Sequence, residues 1–142
     1  MSHISTVKVQ VKSLEALKLA CARLGLEFRE GSQTYQWFGE YLEDTKLPEG
    51  AKLEDLGKCL HEIKVPGATY SIGVVQQGDH YQLLWDSWSP GGLERALGQG
   101  AGRLVQAYSV EAARLSAQAQ GYSVWEEAVA DGSVRLHVQV GA

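Results

Sequence analysis

Cysteine is scarce in this chain, long apolar runs are missing and positive charge is not in excess. Cys21 and Cys59 are the two cysteines among 142 residues, too few for a disulfide framework in a chain of this length. No run of about 18 apolar residues is present to cross a membrane, and the N-terminus lacks the apolar stretch of a signal peptide. The sequence therefore predicts a cytoplasmic protein with one domain over residues 1–142.

The charge balance is slightly acidic. The chain has 13 lysines and arginines against 17 aspartates and glutamates, so its net charge is −4 at pH 7. Proteins that hold nucleic acid or anionic lipid through charge carry basic surfaces, and this composition argues against both as partners. Hydrophobic residues make up 44% of the chain, which is enough for a globular core.

The start of the chain predicts a strand followed by a helix. Val7, Val9 and Val11 alternate with polar residues, which is the pattern of a half-buried strand. Ser13 can then cap the free amides of a helix start, and Gly25 can end the helix in the left-handed conformation. Between them, apolar residues recur at helical spacing and form one stripe: Leu14, Leu17, Cys21 and Leu24.

The rest of the chain predicts further strands, an irregular excursion and a second long helix. Strands are expected at 26–29, 35–38, 59–65, 122–128 and 133–140, and the excursion at about 39–57. Alternating apolar residues predict a hairpin from Tyr70 to Trp85, and the second helix runs from about Arg103 to Gln120. The predicted fold is α+β, in the order β-α-β-β-(excursion)-β-β-α-β-β. It is an antiparallel sheet with two main helices packed on one face.

A glycine-rich turn is the strongest sign of a ligand site. Gly98, Gly100 and Gly102 precede Arg103 at the start of the second long helix. Backbone amides at a helix start can hold an anion, and Arg103 can pair with it, so a small anionic ligand or nucleotide is one hypothesis. The spacing matches neither the dinucleotide fingerprint nor the phosphate loop. A simple break between two helices is the competing interpretation.

Cys59 and His61 form the second candidate site, because residues two apart share one face of a strand. Thiolate and imidazole are good zinc ligands, but a site needs three or four ligands and no partner stands at a recognised spacing. The same pair can act as nucleophile and base, although no orienting acid or oxyanion donor is recognisable. A buried cysteine beside a hydrogen-bonded histidine is the favoured interpretation of the pair, so metal binding and metal-dependent catalysis rank behind the other hypotheses.

Three residues are candidates for contact with a partner protein. Trp88 lies beyond the strand that ends near Trp85, just before Pro90, which predicts an exposed indole. Arg135 and His137 share the polar face of the last strand. An exposed indole and a polar strand face can dock a protein, whereas simple solvation of these side chains is the alternative interpretation.

Short motifs at both ends of the chain carry a family resemblance. Met1-Ser2-His3-Ile4-Ser5 is followed by an alternating strand and a leucine-rich helix, and Gln120-Gly121-Tyr122-Ser123-Val124 precedes Asp131-Gly132-Ser133-Val134-Arg135-Leu136. With these motifs the chain resembles the hypothetical chloroplast reading frame thirty-five family, an uncharacterised domain of plastids, cyanobacteria, other bacteria and phages. Ile4 stands where the family usually has phenylalanine, and the arginine–tryptophan ending of the family is missing. The long middle with its glycines is more like the bacterial or phage members.

The resemblance implies an accessory or adaptor role, because bacterial members of that family look like companions of AAA-type ATPases. No catalytic residue is established for the family, so the resemblance assigns none. We therefore expect a non-enzymatic protein that acts through protein–protein contacts, either with an AAA-type ATPase or with a second copy of itself. The question of enzymatic activity stays open at this point, and no cofactor is expected.

Overall fold

The computed structural model describes residues 3–39 and 52–141. The strands in these ranges are β1 (Ile4–Thr6), β2 (Glu27–Arg29), β3 (His61–Lys64), β4 (Ser71–Gln77), β5 (His80–Asp86), β6 (Ser123–Ala128) and β7 (Val134–Gln139). The α-helices are α1 (Leu14–Leu24), α2 (Leu93–Leu97) and α3 (Gly102–Ala119), and 3-10 turns lie at Leu53–Asp55, Ser89–Gly91 and Gln99–Ala101. The predicted α+β class is confirmed. Within the described ranges, no helix combines the length and apolarity needed to cross a membrane.

Five strands form the main sheet in the order β1-β5-β4-β3-β2, and every neighbouring pair is antiparallel. Strands β6 and β7 form a separate two-stranded sheet. The N-terminal strand therefore has its only described neighbour late in the chain, at β5. Since β2 pairs with β3, the excursion predicted at about 39–57 falls between two adjacent strands. Its residues 40–51 lie outside the described ranges, and its described part contains the 3-10 turn at Leu53–Asp55.

Helices α1 and α3 pack against each other and share one hydrophobic core with the main sheet. Helix α1 forms as predicted, because the Ser13 hydroxyl accepts a hydrogen bond from the Ala16 amide at 3.0 Å and Gly25 is left-handed with φ 74°. The sheet contributes buried apolar residues that alternate along three strands, so they lie on one face: Ile63, Ile72, Val74, Leu83 and Trp85. The prediction of two main helices on one sheet face is confirmed.

The opposite face of the main sheet is covered by the segment that follows β2. The ring of Tyr35, a residue only 2% exposed, lies directly on the backbone of Gly73 in β4. The hydroxyl of Ser71 accepts a hydrogen bond from the Gln36 amide and donates one to the buried carboxylate of Glu62. This face is therefore held by polar contacts as well as by an aromatic ring, whereas the helix-covered face is apolar.

Asp86, at the end of β5, is fully buried and accepts three backbone hydrogen bonds. Its Oδ1 receives the amides of His3 at 2.9 Å and Trp88 at 3.1 Å, and its Oδ2 receives the amide of Phe38 at 3.0 Å. A buried carboxylate is stable when hydrogen bonds replace its lost hydration. Asp86 thereby fastens three separate segments at one end of the sheet.

Some predicted strand bounds differ from the structure. The first strand lies at Ile4–Thr6, ahead of the predicted Val7–Val11. The Val9 amide donates a hydrogen bond to the Val7 carbonyl, and this turn interrupts the pairing with β5. The pairing resumes with a single bridge between Val11 and Tyr81. No strand forms at 35–38, because the amides there bond to Gly57, to Ser71 and to Asp86 instead of to a neighbouring strand. Between the excursion and α3 the described chain has three strands, one more than the predicted order contains.

Candidate functional site

The hairpin of β6 and β7 follows directly from α3. Gly121 leaves the helix with φ 82°, and the Tyr122 amide still bonds to the Ala117 carbonyl at 3.0 Å. At the turn, the carboxylate of Asp131 accepts hydrogen bonds from the amide and the hydroxyl of Ser133. Gly132 supplies a positive φ of 89°, as an Asp-Gly turn requires. These local contacts set the register in which Trp125 faces His137 and Glu127 faces Arg135.

The outer face of the hairpin, defined here by Trp125, Glu127, Arg135 and His137, is a connected cluster of exposed side chains. The indole of Trp125 is 51% exposed and stacks on the imidazole of His137, with 5.2 Å between ring centroids and 7° between planes. Oε1 of Glu127 lies 3.0 Å from Nε2 of His137 and 3.2 Å from Nη1 of Arg135. The structure therefore places an aromatic pair beside an ion pair on one solvent-facing surface.

The opposite side of the hairpin is anchored to the helices by four charged side chains. Glu126 of β6 forms ion pairs with Arg23 of α1 and Arg114 of α3, and Glu111 of α3, which is buried, pairs with Arg23. Oε1 of Glu126 is buried and has no aligned hydrogen bond among the described residues, so its 2.9 Å contact with Arg23 is an ion pair. The neighbouring guanidinium of Arg23, with that of Arg114, holds the pKa of Glu126 below its ordinary value.

Apolar residues continue along β7 beyond the cover of the helices. Val134 and Leu136 are half-buried on the inner side of the hairpin. Val138 is 44% exposed, and Val140, which follows the strand, is 70% exposed. The apolar row of β7 is thus covered at its start and open at its end.

Of the three predicted partner contacts, the structure brings Arg135 and His137 together around Glu127, while Trp88 lies elsewhere. Trp88 follows β5, is half-buried, and packs edge-on against Phe38 with 4.9 Å between ring centroids. Trp125 and Glu127 were not among the contacts predicted from the sequence. The alternating pattern of both strands and the Asp131-Gly132 turn could have identified them, because together these features fix which residues face each other across the hairpin.

The glycine-rich turn is a break between α2 and α3. Gly98 and Gly100 have positive φ values of 84° and 63°, and Ala101 adopts the left-handed conformation at 57° while fully buried. No side chain caps the N-terminus of α3, which begins at Gly102. The guanidinium of Arg103 donates a hydrogen bond to the Ala96 carbonyl at 3.2 Å. Arg103 therefore closes the end of α2 in this arrangement.

Cys59 and His61 line one open hollow on the surface, and each already has a backbone partner. The thiol of Cys59 donates to the Ser32 carbonyl at 3.2 Å, and burial raises its pKa to about 11, so it stays protonated at neutral pH. Nδ1 of His61 accepts a hydrogen bond from the Gly31 amide at 3.0 Å. Residues 3–39 and 52–141 contain no group of three or more histidine, cysteine, aspartate or glutamate side chains placed to hold a metal ion.

Comparison with known proteins gives one match. No curated protein and no solved structure matches the chain. Residues 52–137, more than half of the chain, match the family described as "Protein of unknown function (DUF1257)". The matched range includes β3 to β6 and the first four of the six residues of β7, and with them the outer face of the hairpin. The chain belongs to this family of proteins of unknown function.

Proposed function

We propose that this protein is a non-enzymatic accessory protein that binds a partner protein through the outer face of the β6–β7 hairpin. The observation that carries the proposal is the exposed Trp125, stacked on His137 beside the Glu127–Arg135 ion pair. Tryptophan and arginine are the residues most enriched among energetically dominant interface contacts. Burying an indole that is half exposed in the free chain gives a partner a large gain in apolar contact.

The anchoring of the hairpin supports the same proposal. A two-stranded sheet is marginal in water by itself, so a hairpin that presents side chains to a partner needs support from behind. Here the support comes from Glu126 with Arg23 and Arg114. Because the outer face is held before binding, a partner does not have to pay for ordering it.

The resemblance to the hypothetical chloroplast reading frame thirty-five family supplies a candidate partner, an AAA-type ATPase. Within that family the chain is most similar to bacterial or phage members. The two cysteines, too few for a disulfide framework, favour the cytoplasm as its compartment. The net charge of −4 favours a protein partner over nucleic acid or a membrane surface. The role, the compartment and the partner are thus parts of one proposal.

The test is equilibrium binding between the purified protein and the AAA-type ATPase from the same genome, measured by biolayer interferometry. We expect Trp125→Ala to weaken binding by about tenfold or more, the effect of removing a central aromatic contact. Leu19→Ala is the matched control, because Leu19 is a 40% exposed hydrophobic residue that belongs to α1 and is not part of the outer face of the hairpin. Equal affinities for the wild type and Trp125→Ala would rule out the hairpin as the contact.

An ATPase that fails to bind the wild-type protein would contradict the choice of partner. A photo-crosslinking residue at position 125, introduced in the native host, would then identify the protein that lies on the outer face. Position 19 again provides the control. Crosslinks that form equally well from both positions would contradict the proposal for the outer face.

A second proposal is a small anionic ligand or nucleotide at the turn from Gly98 to Arg103. The uncapped first turn of α3 favours it, since its amides have no side-chain acceptor. Inorganic phosphate and ATP are then expected to raise the melting temperature, and Arg103→Ala is expected to abolish the rise. Differential scanning fluorimetry provides the readout. No rise with either compound would contradict a site of this kind.

A further inference from the structure

Within residues 3–39 and 52–141, the outer edge of β7 has no partner strand. Among the described residues β7 pairs only with β6, so the backbone groups on its other side have no ladder. Exposed strand edges of this kind readily accept another strand unless charge, proline or a bulge protects them. Along β7, Arg135 is the one residue that is charged at every pH near neutrality.

The edge of β6 is better protected. Glu126 and Glu127 are adjacent there, and charged side chains along a strand edge disfavour the addition of another strand. β7 instead alternates Val134, Leu136 and Val138 with polar residues, and the apolar row continues to Val140. The edge of β6 therefore carries charged residues that disfavour strand addition, whereas the edge of β7 carries an apolar row that permits it.

The sequence of β7 is complementary to itself when two copies run antiparallel. With His137 on the two-fold axis, Leu136 faces Val138 and Val134 faces Val140 of the second copy, which covers the two most exposed residues of the apolar row, Val138 and Val140. Arg135 then faces the neutral Gln139, so the two arginine side chains do not face each other. A two-fold contact of this kind closes on itself and stops at a dimer.

We propose that β7 pairs with β7 of a second copy of this chain, so that two hairpins join into one four-stranded antiparallel sheet. The contact uses the edge of the hairpin and goes beyond the proposed function, which uses its outer face. Pairing aligns the outer faces of both copies side by side, so the dimer presents two Trp125 indoles on one surface. A contact of one strand per copy is small compared with standard interfaces, so the dimer is expected to be weak and concentration-dependent.

Sedimentation velocity over a range of concentrations tests the dimer. The wild type is expected to shift from monomer to dimer as its concentration rises. Val138→Lys is expected to raise the dimer dissociation constant by about tenfold or more, because it places a charge opposite Leu136 of the second copy. Ala128→Lys is the matched control, since it adds the same charge to an exposed position on β6 and should leave the dimer unchanged. A wild-type protein that is monomeric up to about 0.1 mM, or equal weakening by both substitutions, would overturn the proposal.

A cysteine placed on the two-fold axis tests the register and does not depend on the folding of Val138→Lys. In a Cys59→Ser background, His137→Cys brings two thiols into facing positions about 4.5–5.5 Å apart at Cα, within disulfide range. Arg135→Cys is the control, because its two copies are displaced by four residues, about 13 Å. Oxidation should give a disulfide dimer with His137→Cys alone. If His137→Cys stays monomeric, or if both cysteine variants form the same amount of disulfide dimer, the proposed pairing is wrong. Either result leaves the proposed binding through Trp125 to its own assay.

Discussion

Gly73 lies in the middle of β4, and its backbone is in direct contact with the ring of Tyr35. A Cβ at this position would overlap three ring atoms of Tyr35, a residue that is almost fully buried and has little room to move. We expect Gly73→Ala to lower the free energy of unfolding by about 1–3 kcal/mol, the usual cost of overpacking. Urea denaturation at neutral pH provides the measurement.

Gly102→Ala is the matched control for Gly73→Ala. Gly102 is the first residue of α3, has helical dihedral angles of −54° and −36°, and has no atom within 4 Å of an added Cβ. Alanine there loses less chain entropy on folding, so a gain of about 0.4–1 kcal/mol is expected. A Gly73→Ala protein as stable as Gly102→Ala would show that the Tyr35 ring yields to the added methyl group.

The β6–β7 hairpin is attached to α1 and α3 in part by ion pairs, so its stability should depend on pH. The folded pKa of Glu126 lies below its ordinary value near 4.5 because of Arg23 and Arg114. A carboxylate with a lowered folded pKa stabilises the native state above the unfolded pKa, and this contribution is lost as the pH falls through the folded pKa. We therefore expect the hairpin to loosen progressively below about pH 4.5.

Glu126→Gln should reproduce the acid effect at neutral pH. We expect it to lower Tm by about 2–4 °C, the shift that corresponds to loss of about 1 kcal/mol. It should also speed amide hydrogen exchange in β6 and β7. The decrease of Tm with falling pH should be smaller in Glu126→Gln than in the wild type. Glu127→Gln is the control, because Glu127 contacts only exposed side chains on the outer face. If both substitutions had the same effect, the attachment through Glu126 would not be the cause.

The β4–β5 and β6–β7 hairpins could be predicted from the sequence, because alternation and turn residues act within a few residues of each other. The same is true of α1, whose Ser13 cap and Gly25 end are local. The segment at 35–38 has an alternating pattern too, but its amides find partners at Ser71 and Asp86, which local patterns do not specify. Strand prediction failed there because long-range contacts decided the backbone conformation.

The candidate site could be predicted in part for the same reason. The shared face of Arg135 and His137 follows from the period of a single strand. The roles of Trp125 and Glu127 depend on the register between two strands, which sets Trp125 against His137. The half-burial of Trp88 depends on Phe38, a contact across 50 positions of the chain that no local pattern reveals. Sequence patterns identify faces of elements, and the contacts between elements decide which faces remain open.

The molecule as a whole is held together at one end by Asp86, which bonds the amides of His3, Phe38 and Trp88. The pairing of β1 with β5 joins the same distant parts of the chain. Contacts between residues so far apart slow folding, because the entropy of closing long loops must be overcome first.

This arrangement has a consequence for synthesis on the ribosome. β1 and α1 leave the ribosome before β5, and the strand that pairs with β1 ends at Asp86, 83 residues after His3. Until β5 emerges, β1 lacks its partner strand, and the apolar stripe of α1 is covered neither by the complete sheet nor by α3. Such exposed surface is a ready target for aggregation and for chaperones. The early part of this protein therefore depends on the later part to become stable, and a ribosome that stalls before Asp86 leaves a chain that cannot complete its main sheet.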